Sequence, residues 1–318
     1  MGQTQDRVAV VGASGIGKHH AKWWKIEGAD VCAFVGTSPE SVAKTRQVLV
    51  GLFGFAGRGY TDLNELLRRE RPDVVDVCSP PRCHFQHVHD ALEAGCDVLC
   101  EKPFVYDPQL PPDSLLDQAR ALAAKAETAG KRLRMCSQYH AAVRRCRELL
   151  AEHTGQGVLE RYCGRLASPA KDPAPDPDEI WMDLAPHMLA AVQALAPDGA
   201  IDFDSVTTSF SGHQANARFA VSVPGGRRMN CEIITGRTLP GAGPAHVREF
   251  ELNGARFSIG AGTDAQGAYC ARFETPWGTF DSPDTLRLTI REFLAGHAQL
   301  DGRAAVTNLT WLLKLRGR

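Results

Sequence analysis

Short apolar runs alternate with segments of helical periodicity through the first 137 residues, and this alternation constrains the fold more than any other feature. The apolar runs of strand length include Arg7–Val11, Asp30–Val35, Asp73–Cys78, Asp97–Cys100 and Arg132–Cys136. Helical segments separate these runs, and their spacing predicts six strands with intervening helices. Strands that alternate with helices favour parallel pairing, so the pattern predicts a doubly wound parallel α/β sheet.

A glycine-rich turn follows the first predicted strand and leads into a helical segment. The turn reads Gly12-Ala13-Ser14-Gly15-Ile16-Gly17. A strand, a glycine turn and a helix in this order are typical of a site where backbone N–H groups face a pyrophosphate. Gly12 and Gly17 fit the first and third glycines of a G-x-G-x-x-G motif. Ser14 takes the second position, where its hydroxyl can donate to a phosphate oxygen.

The second predicted strand ends without a carboxylate. Dinucleotide domains usually carry an acid there, which binds the ribose hydroxyls and repels a 2′-phosphate. Here the chain continues with Gly36, Thr37 and Ser38, and Pro39 begins a helix. We therefore expect the hydroxyls of Thr37 and Ser38 and the N–H groups of the new helix to face the cofactor. The missing repulsion favours NADP slightly over NAD, while NAD bonded to the same hydroxyls stays an alternative.

The tripeptide Glu101-Lys102-Pro103 follows a buried strand, Asp97–Cys100. Open α/β sheets bind ligands outside the carboxyl ends of their strands, which is where Lys102 is expected. Pro103 fixes the backbone beyond the lysine. On these three residues alone, a surface lysine with no special role is the simpler interpretation, and the flanking motifs reverse that preference.

The second half of the chain changes architecture. Strand patterns between residues 203 and 280 predict an antiparallel sheet with helices on one face, and Asn253-Gly254 predicts a tight hairpin. We expect a dinucleotide-binding domain over residues 1–137 and a substrate-binding and oligomerisation domain over residues 138–318. Within a helix near 181–195, Asp183 and His187 are four residues apart and share one face. This spacing suits proton transfer, and an exposed pair without chemistry is an equally good interpretation.

Composition excludes several classes of function. A formal net charge of −1 predicts no general attraction to nucleic acid or to an anionic membrane. The ten cysteines are scattered, which favours reduced thiols and a cytoplasmic location, and no targeting segment is recognised. His84, His87 and His89 invite a zinc interpretation, but a helix start with polar faces is the preferred interpretation and no metal is expected.

These motifs occur in an order that resembles the glucose–fructose oxidoreductase, inositol dehydrogenase and rhizopine-catabolism (Gfo/Idh/MocA) family. The resemblance rests on Gly12…Gly17 followed by His20, on Pro80-Pro81-Arg82-Cys83-His84, on Glu101-Lys102-Pro103 and on Asp183-x-x-x-His187. It implies a Rossmann domain followed by an open-faced, mostly antiparallel α+β domain. It also implies an oxidoreductase that exchanges a hydride between NAD or NADP and a carbon bearing a hydroxyl or carbonyl, often on a sugar or cyclitol.

The resemblance also implies roles for individual residues. Lys102 would contact the reacting oxygen, His187 would move the proton, and Asp183 would orient His187 or share its task. The expected cofactor-binding residues are Gly12, Ser14, Gly15, Ile16, Gly17, Thr37, Ser38, Pro80, His84, Glu101 and Lys102. Ser14, Gly36 and Ala190 depart from the family pattern, and the second domain looks short for the family.

Two other functions fit the same motifs. The family contains glycosidases that oxidise a sugar only transiently, and a catalytically inactive nucleotide-binding sensor or scaffold would keep the fold. The joint presence of Lys102, Asp183 and His187 argues against an inactive protein. Tyr139, His140, Trp181 and the loop 169–178 are candidates for substrate selection. Pairing with further copies of the chain is expected by family analogy only.

Overall fold

A computed structural model describes residues 5–316 except 171, 173, 242–243, 265–268 and 298. The chain divides into two compact units. The first contains the residues up to Cys136 together with Leu286–Leu309, and the second contains Ser137–Thr285 and the residues from Thr310 onward. The expected boundary after residue 137 lies beside this division. Assignment of all of residues 138–318 to one domain is not what the structure shows, because Leu286–Leu309 belongs to the first unit.

The first unit is built on a parallel sheet with the strand order β3-β2-β1-β4-β5-β6. Its strands are β1 (Arg7–Val11), β2 (Asp30–Val35), β3 (Arg58–Tyr60), β4 (Val74–Val77), β5 (Asp97–Cys100) and β6 (Leu133–Met135). Its helices are α1 (Gly17–Ile26), α2 (Pro39–Phe53), α3 (Leu63–Glu70), α4 (His84–Glu93) and α5 (Pro112–Ala129), with a 3₁₀ turn at Pro81–Cys83. The predicted doubly wound fold is confirmed, and the order is that of a Rossmann sheet.

The strands form because their apolar residues are buried on both faces of the sheet. Val8, Val10, Val74 and Leu99 are almost fully inaccessible, which is typical of parallel strands covered by helices on each side. The helix α8 (Thr285–Leu294) completes this core from Leu286 onward. The sequence alone gave no indication that a segment so far along the chain packs here.

Backbone hydrogen bonds continue beyond the ends of the strands and fix the residues at their tips. Gly12 N–H donates to Val35 O at 3.0 Å, and Glu101 N–H donates to Val77 O at 2.8 Å. Because parallel strands end at one edge of a sheet, the glycine turn and the Glu101-Lys102 pair lie along the same edge.

The second unit contains a mixed, mostly antiparallel sheet in the order β14-β13-β12-β11-β7-β10-β9-β8, in which β7 and β10 are parallel. Its strands are β7 (Arg161–Pro169), β8 (Ala200–Ser211), β9 (Gln214–Val223), β10 (Arg227–Thr238), β11 (Val247–Leu252), β12 (Ala255–Thr263), β13 (Tyr269–Thr275) and β14 (Gly278–Pro283). Its helices are α6 (Gln138–Thr154), α7 (Pro177–Leu195) and the residues from Thr310 of α9 (Gly302–Arg316).

The predicted hairpin at Asn253-Gly254 is confirmed between β11 and β12. Both residues have positive φ angles, +49° and +90°, as a two-residue hairpin turn requires. The strand β7 was not predicted from the sequence, although it lies between β10 and β11 in the sheet. In the part of the chain that the structure describes, no helix has the length and apolar character needed to cross a membrane.

Candidate functional site

The glycine turn is held too tightly for side chains at two positions. A Cβ atom on Gly12 would lie 2.7 Å from Cys78 O, and the φ angle of Gly12 is +86°. A Cβ atom on Gly17 would lie 2.6 Å from Gly12 O. These glycines allow the turn to fold against the tip of β4, which brings its backbone to the sheet edge.

The helix α1 begins at this turn with its N–H groups uncapped by a side chain. Its N-cap is Ile16, which makes no capping hydrogen bond, and its first turn contains no acidic residue. Ser14 and Gly15 are exposed, and Ile16 is 46% exposed although it is a large apolar side chain. An uncapped helix start beside exposed small residues fits the pyrophosphate of a dinucleotide.

The start of α2 differs from the sequence prediction. Ser38 Oγ accepts the N–H of Ser41 at 3.2 Å, while Ser41 Oγ accepts the N–H groups of Thr37 at 3.0 Å and Ser38 at 2.9 Å. The expectation that this helix offers free N–H groups to an anion is therefore wrong for Ser41, and the N–H groups of Thr37 and Ser38, just before the helix, are bonded as well. Glu40 adds a carboxylate to the first helical turn, which disfavours an anion there.

The cationic side chain of Arg46, on α2, has its partners within the first unit. Arg46 donates to Gly57 O and packs over the ring of Phe55, so its guanidinium is held by the first unit itself. A Cβ atom on Gly36 would lie 2.9 Å from Ser41 Oγ. An acid introduced at Gly36 would thus disturb the α2 cap as well as the cofactor site.

The tip of β5 carries Glu101 and Lys102, both half-buried. Glu101 Oε2 accepts the backbone N–H of Lys102 at 3.3 Å. His84 contacts Pro103, the residue after Lys102. Its Nδ1 atom lies 2.9 Å from Pro103 O, and its Nε2 atom lies 2.8 Å from Ser79 O. The buried imidazole therefore ties the tips of β4 and β5 together, and burial lowers its pKa.

The other residues of the His84 motif have separate positions. Pro80 is exposed and precedes the 3₁₀ turn. His87 Nδ1 lies 2.9 Å from Ser79 Oγ, and His89 lies 3.4 Å from Asp90. Each of the three histidines of the motif thus contacts a different group.

Another histidine, His20 of α1, is fully buried and lies next to Glu101. Its Nδ1 atom lies 2.8 Å from Asp76 Oδ2, and its Nε2 atom lies 3.2 Å from Glu101 Oε1. His20 is among the residues that carry the family resemblance, but no role was predicted for it, and Asp76 was not predicted as a site residue. The signal was present, because a carboxylate in the middle of an apolar strand is almost never buried without a partner.

In the second unit, Asp183 and His187 lie on α7. Asp183 Oδ2 accepts from Arg237 Nη2 at 2.7 Å, and Arg237 also donates to Ser168 Oγ at the end of β7. His187 Nδ1 lies 3.0 Å from Ser137 Oγ. Arg237 and Ser137 were not predicted from the sequence, because they come from distant parts of the chain.

The candidates for substrate selection are mostly part of the core of the second unit. Trp181 is fully buried and donates its indole N–H to Leu312 O at 3.0 Å, so its expected role in selection is wrong. Tyr139 is 4% exposed, its ring meets that of His187 edge-on at 5.0 Å, and burial raises its pKa to about 12. His140 is also buried. In the loop 169–178, Lys171 and Pro173 lie outside the described residues.

The comparison with known protein families agrees with this geometry. A sequence model described as an oxidoreductase family with an NAD-binding Rossmann fold, GFO_IDH_MocA, matches residues 7–137. The match covers less than half of this chain, and over these residues the chain is similar to the Gfo/Idh/MocA oxidoreductases, the family that the motifs resemble.

Among individual relatives, D-glucoside 3-dehydrogenase from Escherichia coli (strain K12) is 35% identical over 158 residues. The match covers 48% of this chain and 40% of the relative, so the chain spans less than half the length of that protein.

Two solved structures share the fold over almost the whole chain. UDP-N-acetylglucosamine 3-dehydrogenase from Acidithiobacillus ferrooxidans is 19% identical with a TM-score of 0.70, and 99% of this chain and 98% of that one are covered. Scyllo-inositol dehydrogenase from Lactobacillus casei, solved with NAD(H) and scyllo-inositol, is 14% identical with a TM-score of 0.68, covering 99% and 96%. At these identities the likeness concerns the fold alone.

Proposed function

We propose that this protein is an NAD(P)-dependent dehydrogenase or reductase. It transfers a hydride between a nicotinamide cofactor and a hydroxyl or carbonyl carbon of a sugar, a cyclitol or a related small molecule. The observation that carries the proposal is the shared sheet edge, where the uncapped start of α1 follows β1 and Lys102 follows β5, with β4 between these two strands.

The chain's own residues prepare this chemistry, and the nicotinamide, when bound, donates or accepts the hydride. The N–H groups at the start of α1, together with Ser14, Gly15 and Ile16, would hold the pyrophosphate of the cofactor. Lys102 binds the reacting oxygen, and its positive charge stabilises the negative charge that develops there. His84 holds Pro103, the residue after the lysine, by its carbonyl group.

His187 is proposed to move the proton. Ser137 Oγ lies 3.0 Å from its Nδ1 atom, and this contact orients the ring. Asp183 is proposed to assist through Arg237, with which it pairs at 2.7 Å. Because that ion pair already neutralises the carboxylate, we expect Asp183 to matter less than His187.

The substrate class follows from the relatives rather than from the geometry. D-glucoside 3-dehydrogenase and galactose 1-dehydrogenase are named for sugars, and each matches less than half of this chain. We propose a sugar or cyclitol hydroxyl, or the corresponding ketone, as the reacting group.

The preference for NADP over NAD remains a prediction, and fewer observations support it than the sequence alone suggested. No carboxylate stands at Gly36, directly after β2, which supports NADP, whereas the Glu40 carboxylate and the bonded N–H group of Ser41 at the start of α2 argue against a 2′-phosphate there. Titration of both reduced cofactors against the protein tests the preference. If NADH binds at least as tightly as NADPH, the preference is wrong.

The function is tested with a panel of polyols, sugars and keto-sugars, followed at the absorbance of the reduced nicotinamide with both cofactors. We expect stoichiometric cofactor turnover with at least one sugar or cyclitol. Product without net cofactor turnover would indicate a glycosidase that oxidises only transiently. Cofactor binding without turnover on any substrate would indicate a sensor.

The proton path has its own test. His187→Ala should lower activity most near neutral pH and Asp183→Asn less so, while His246→Ala, at an exposed histidine of the same unit, should leave activity unchanged. A pH–rate profile of His187→Ala that overlays that of the wild type removes His187 from the mechanism.

We also propose a cytoplasmic location and a homo-oligomer, as the sequence predicted. All ten cysteines are free, which suits a reducing compartment.

One face of the second unit's sheet carries cross-strand ion pairs, such as Arg218–Glu232 at 2.7 Å and Arg272–Asp281 at 2.8 Å. Sedimentation equilibrium tests the oligomer, and a single monomeric species would contradict it.

A further inference from the structure

A carboxylate lies in the interior of the first unit's sheet. Asp76 is on β4, between two apolar neighbours, and has no exposed surface. Its Oδ2 atom accepts from Trp24 Nε1 at 2.5 Å and lies 2.8 Å from His20 Nδ1. Burying a charge this deeply is costly unless hydrogen bonds or an opposite charge compensate.

His20 supplies that compensation and is itself shared between two acids. Its Nδ1 atom faces Asp76, and its Nε2 atom lies 3.2 Å from Glu101 Oε1, a contact with the length of an ion pair but without the direction of a hydrogen bond. A neutral imidazole has one N–H and can satisfy only one of these carboxylates, whereas the protonated ring has two. Burial alone would lower the pKa of His20, but the negative charge of Asp76 raises it well above its ordinary value.

Glu101 extends the chain of contacts to the lysine. Its Oε1 atom faces His20, and its Oε2 atom accepts the backbone N–H of Lys102 at 3.3 Å. The two oxygens of one carboxyl group therefore connect a buried cation to the backbone of Lys102.

The remaining titratable groups near His20 are thiols. Cys78 lies beside Asp76, and Cys136 lies beside His20 and Glu101. Burial raises the pKa of both thiols, so they stay neutral in the working pH range. Their sulfur atoms could instead complete a metal site with His20, but a proton on His20 accounts for the same contacts without ionising a thiol.

We propose that Asp76 and His20 are positioning residues for Lys102: a permanently protonated His20, held by Asp76, keeps Glu101 ionised and oriented so that Glu101 fixes the stem of the lysine. The inference rests on the proposed function for its catalytic consequence. The protonation state of His20 is independent of that function and can be measured in the protein alone.

The first experiment is NMR of the histidine rings in protein labelled with ¹⁵N-histidine. We expect one buried ring, that of His20, to be doubly protonated at pH 7 in the wild type and to lose a proton at lower pH in Asp76→Asn than in the wild type. The expected change is a fall in the pKa of roughly 1–3 units, the effect of an opposite charge at this distance. A His20 ring with an unprotonated nitrogen at pH 7 in the wild type overturns the proposal, as does stoichiometric zinc in the purified protein.

The second experiment links the charge to the lysine. In His20→Gln the carboxylates of Asp76 and Glu101 lose the cation between them, so Glu101 should take up a proton at higher pH than in the wild type. We expect kcat of this variant to fall about tenfold at pH 6 and to recover with rising pH, while the wild type changes little over the same range. The double variant His20→Gln/Asp76→Asn removes one carboxylate and should restore the flat profile.

A purely structural role for His20 would not produce this rescue, because the double variant loses more native contacts than the single one. His89→Gln, at a partly exposed histidine of α4, is the matched control and should keep the wild-type profile. If no substrate is found, the pH dependence of cofactor binding replaces kcat. In that case a flat profile for His20→Gln overturns the inference, whereas the missing substrate counts only against the proposed function. If His20→Gln fails to fold, Asp76→Asn with the NMR readout still decides.

Discussion

Two helices of the first unit begin at strand tips on the same sheet edge, yet their first turns are built in opposite ways. α1 starts at Ile16 with no side-chain cap and no acidic residue. α2 starts at Ser38, whose side chain and that of Ser41 form a reciprocal capping box, with Glu40 in the first turn. Uncapped N–H groups leave hydrogen bonds unmade, which costs stability unless a ligand or water makes them.

The open start of α1 can bind a ligand, whereas the capped start of α2 stabilises the fold. A helix that keeps its N-terminus open forgoes about 1 kcal/mol, the typical contribution of an N-cap. α2 takes that stabilisation, and α1 does not. We therefore expect changes at the tips of β1 and β5 to affect function most, and changes at the tip of β2 to affect stability most.

The largest effect is expected at the tip of β5. Lys102→Ala should lower turnover by at least about 100-fold, since a positioned charged donor typically contributes that much. The unfolding temperature should stay within a few degrees of that of the wild type. Steady-state kinetics and thermal unfolding measure both quantities, with Lys125→Ala, at a surface ion pair with Glu93, as the control. Turnover within a few-fold of the wild type would remove Lys102 from the mechanism.

The next effect is expected in the glycine turn. Gly17→Ala places a Cβ atom 2.6 Å from Gly12 O and 3.0 Å from Cys78 Cβ, so the turn must shift. We expect a loss of about 1–3 kcal/mol in stability and a cofactor affinity lower by tenfold or more. Gly51→Ala in α2 is the control, because its Cβ would meet nothing within 4 Å. Unchanged cofactor affinity in Gly17→Ala would show that the turn does not bind the pyrophosphate.

At the tip of β2 we expect the opposite result, a loss of stability without a loss of cofactor affinity. Ser38→Ala removes the cap of α2 and should cost about 1 kcal/mol in the free energy of unfolding, with cofactor affinity within about twofold of the wild type. Asp62→Ala, at the cap of α3, is the matched control for the loss of a cap away from the cofactor. A loss of affinity with Ser38→Ala that Asp62→Ala does not share would show that Ser38 contacts the ribose, and the contrast between the two helix starts would fail.

The sequence predicted the elements whose signals are local. The strands β1, β2, β4 and β5 and the hairpin at Asn253-Gly254 follow from apolar runs and turn residues. The position of Lys102 follows from the strand before it. β7 was missed because an amphipathic strand in the middle of a mixed sheet depends on partners far along the chain, here β10 and β11.

The site was predicted less completely because its supporting contacts join distant segments. His20 and Asp76 are separated by 56 residues, and Asp183 and Arg237 by 54. No spacing rule connects such pairs. The capping box of α2 could have been predicted, since Ser38 and Ser41 are three residues apart, and it contradicts the prediction of a free N–H group at Ser41.

The smallest effect concerns the other end of α1, where the chain compensates for the open start. Glu27 closes the helix and is bonded to Arg287 and Arg291 of α8, while Trp24 meets Phe293 edge-on at 5.6 Å. Burial alone would raise the pKa of Glu27, but the hydrogen bonds from Arg291 and Arg287 outweigh it and lower the pKa below its ordinary value of 4.5.

A lowered pKa in the folded state means that the stabilisation is fully present above pH 4.5 and is lost as the pH falls through the lower, folded-state value. Glu27→Gln should therefore lower the free energy of unfolding by roughly 1 kcal/mol or less at pH 7, and the difference from the wild type should shrink as the pH approaches 3. Urea unfolding at several pH values measures this, and Glu93→Gln, at an exposed acid, is the control. If the difference persists undiminished at low pH, charge is not what anchors this end of α1, and its open start must be compensated by the Trp24–Phe293 contact instead.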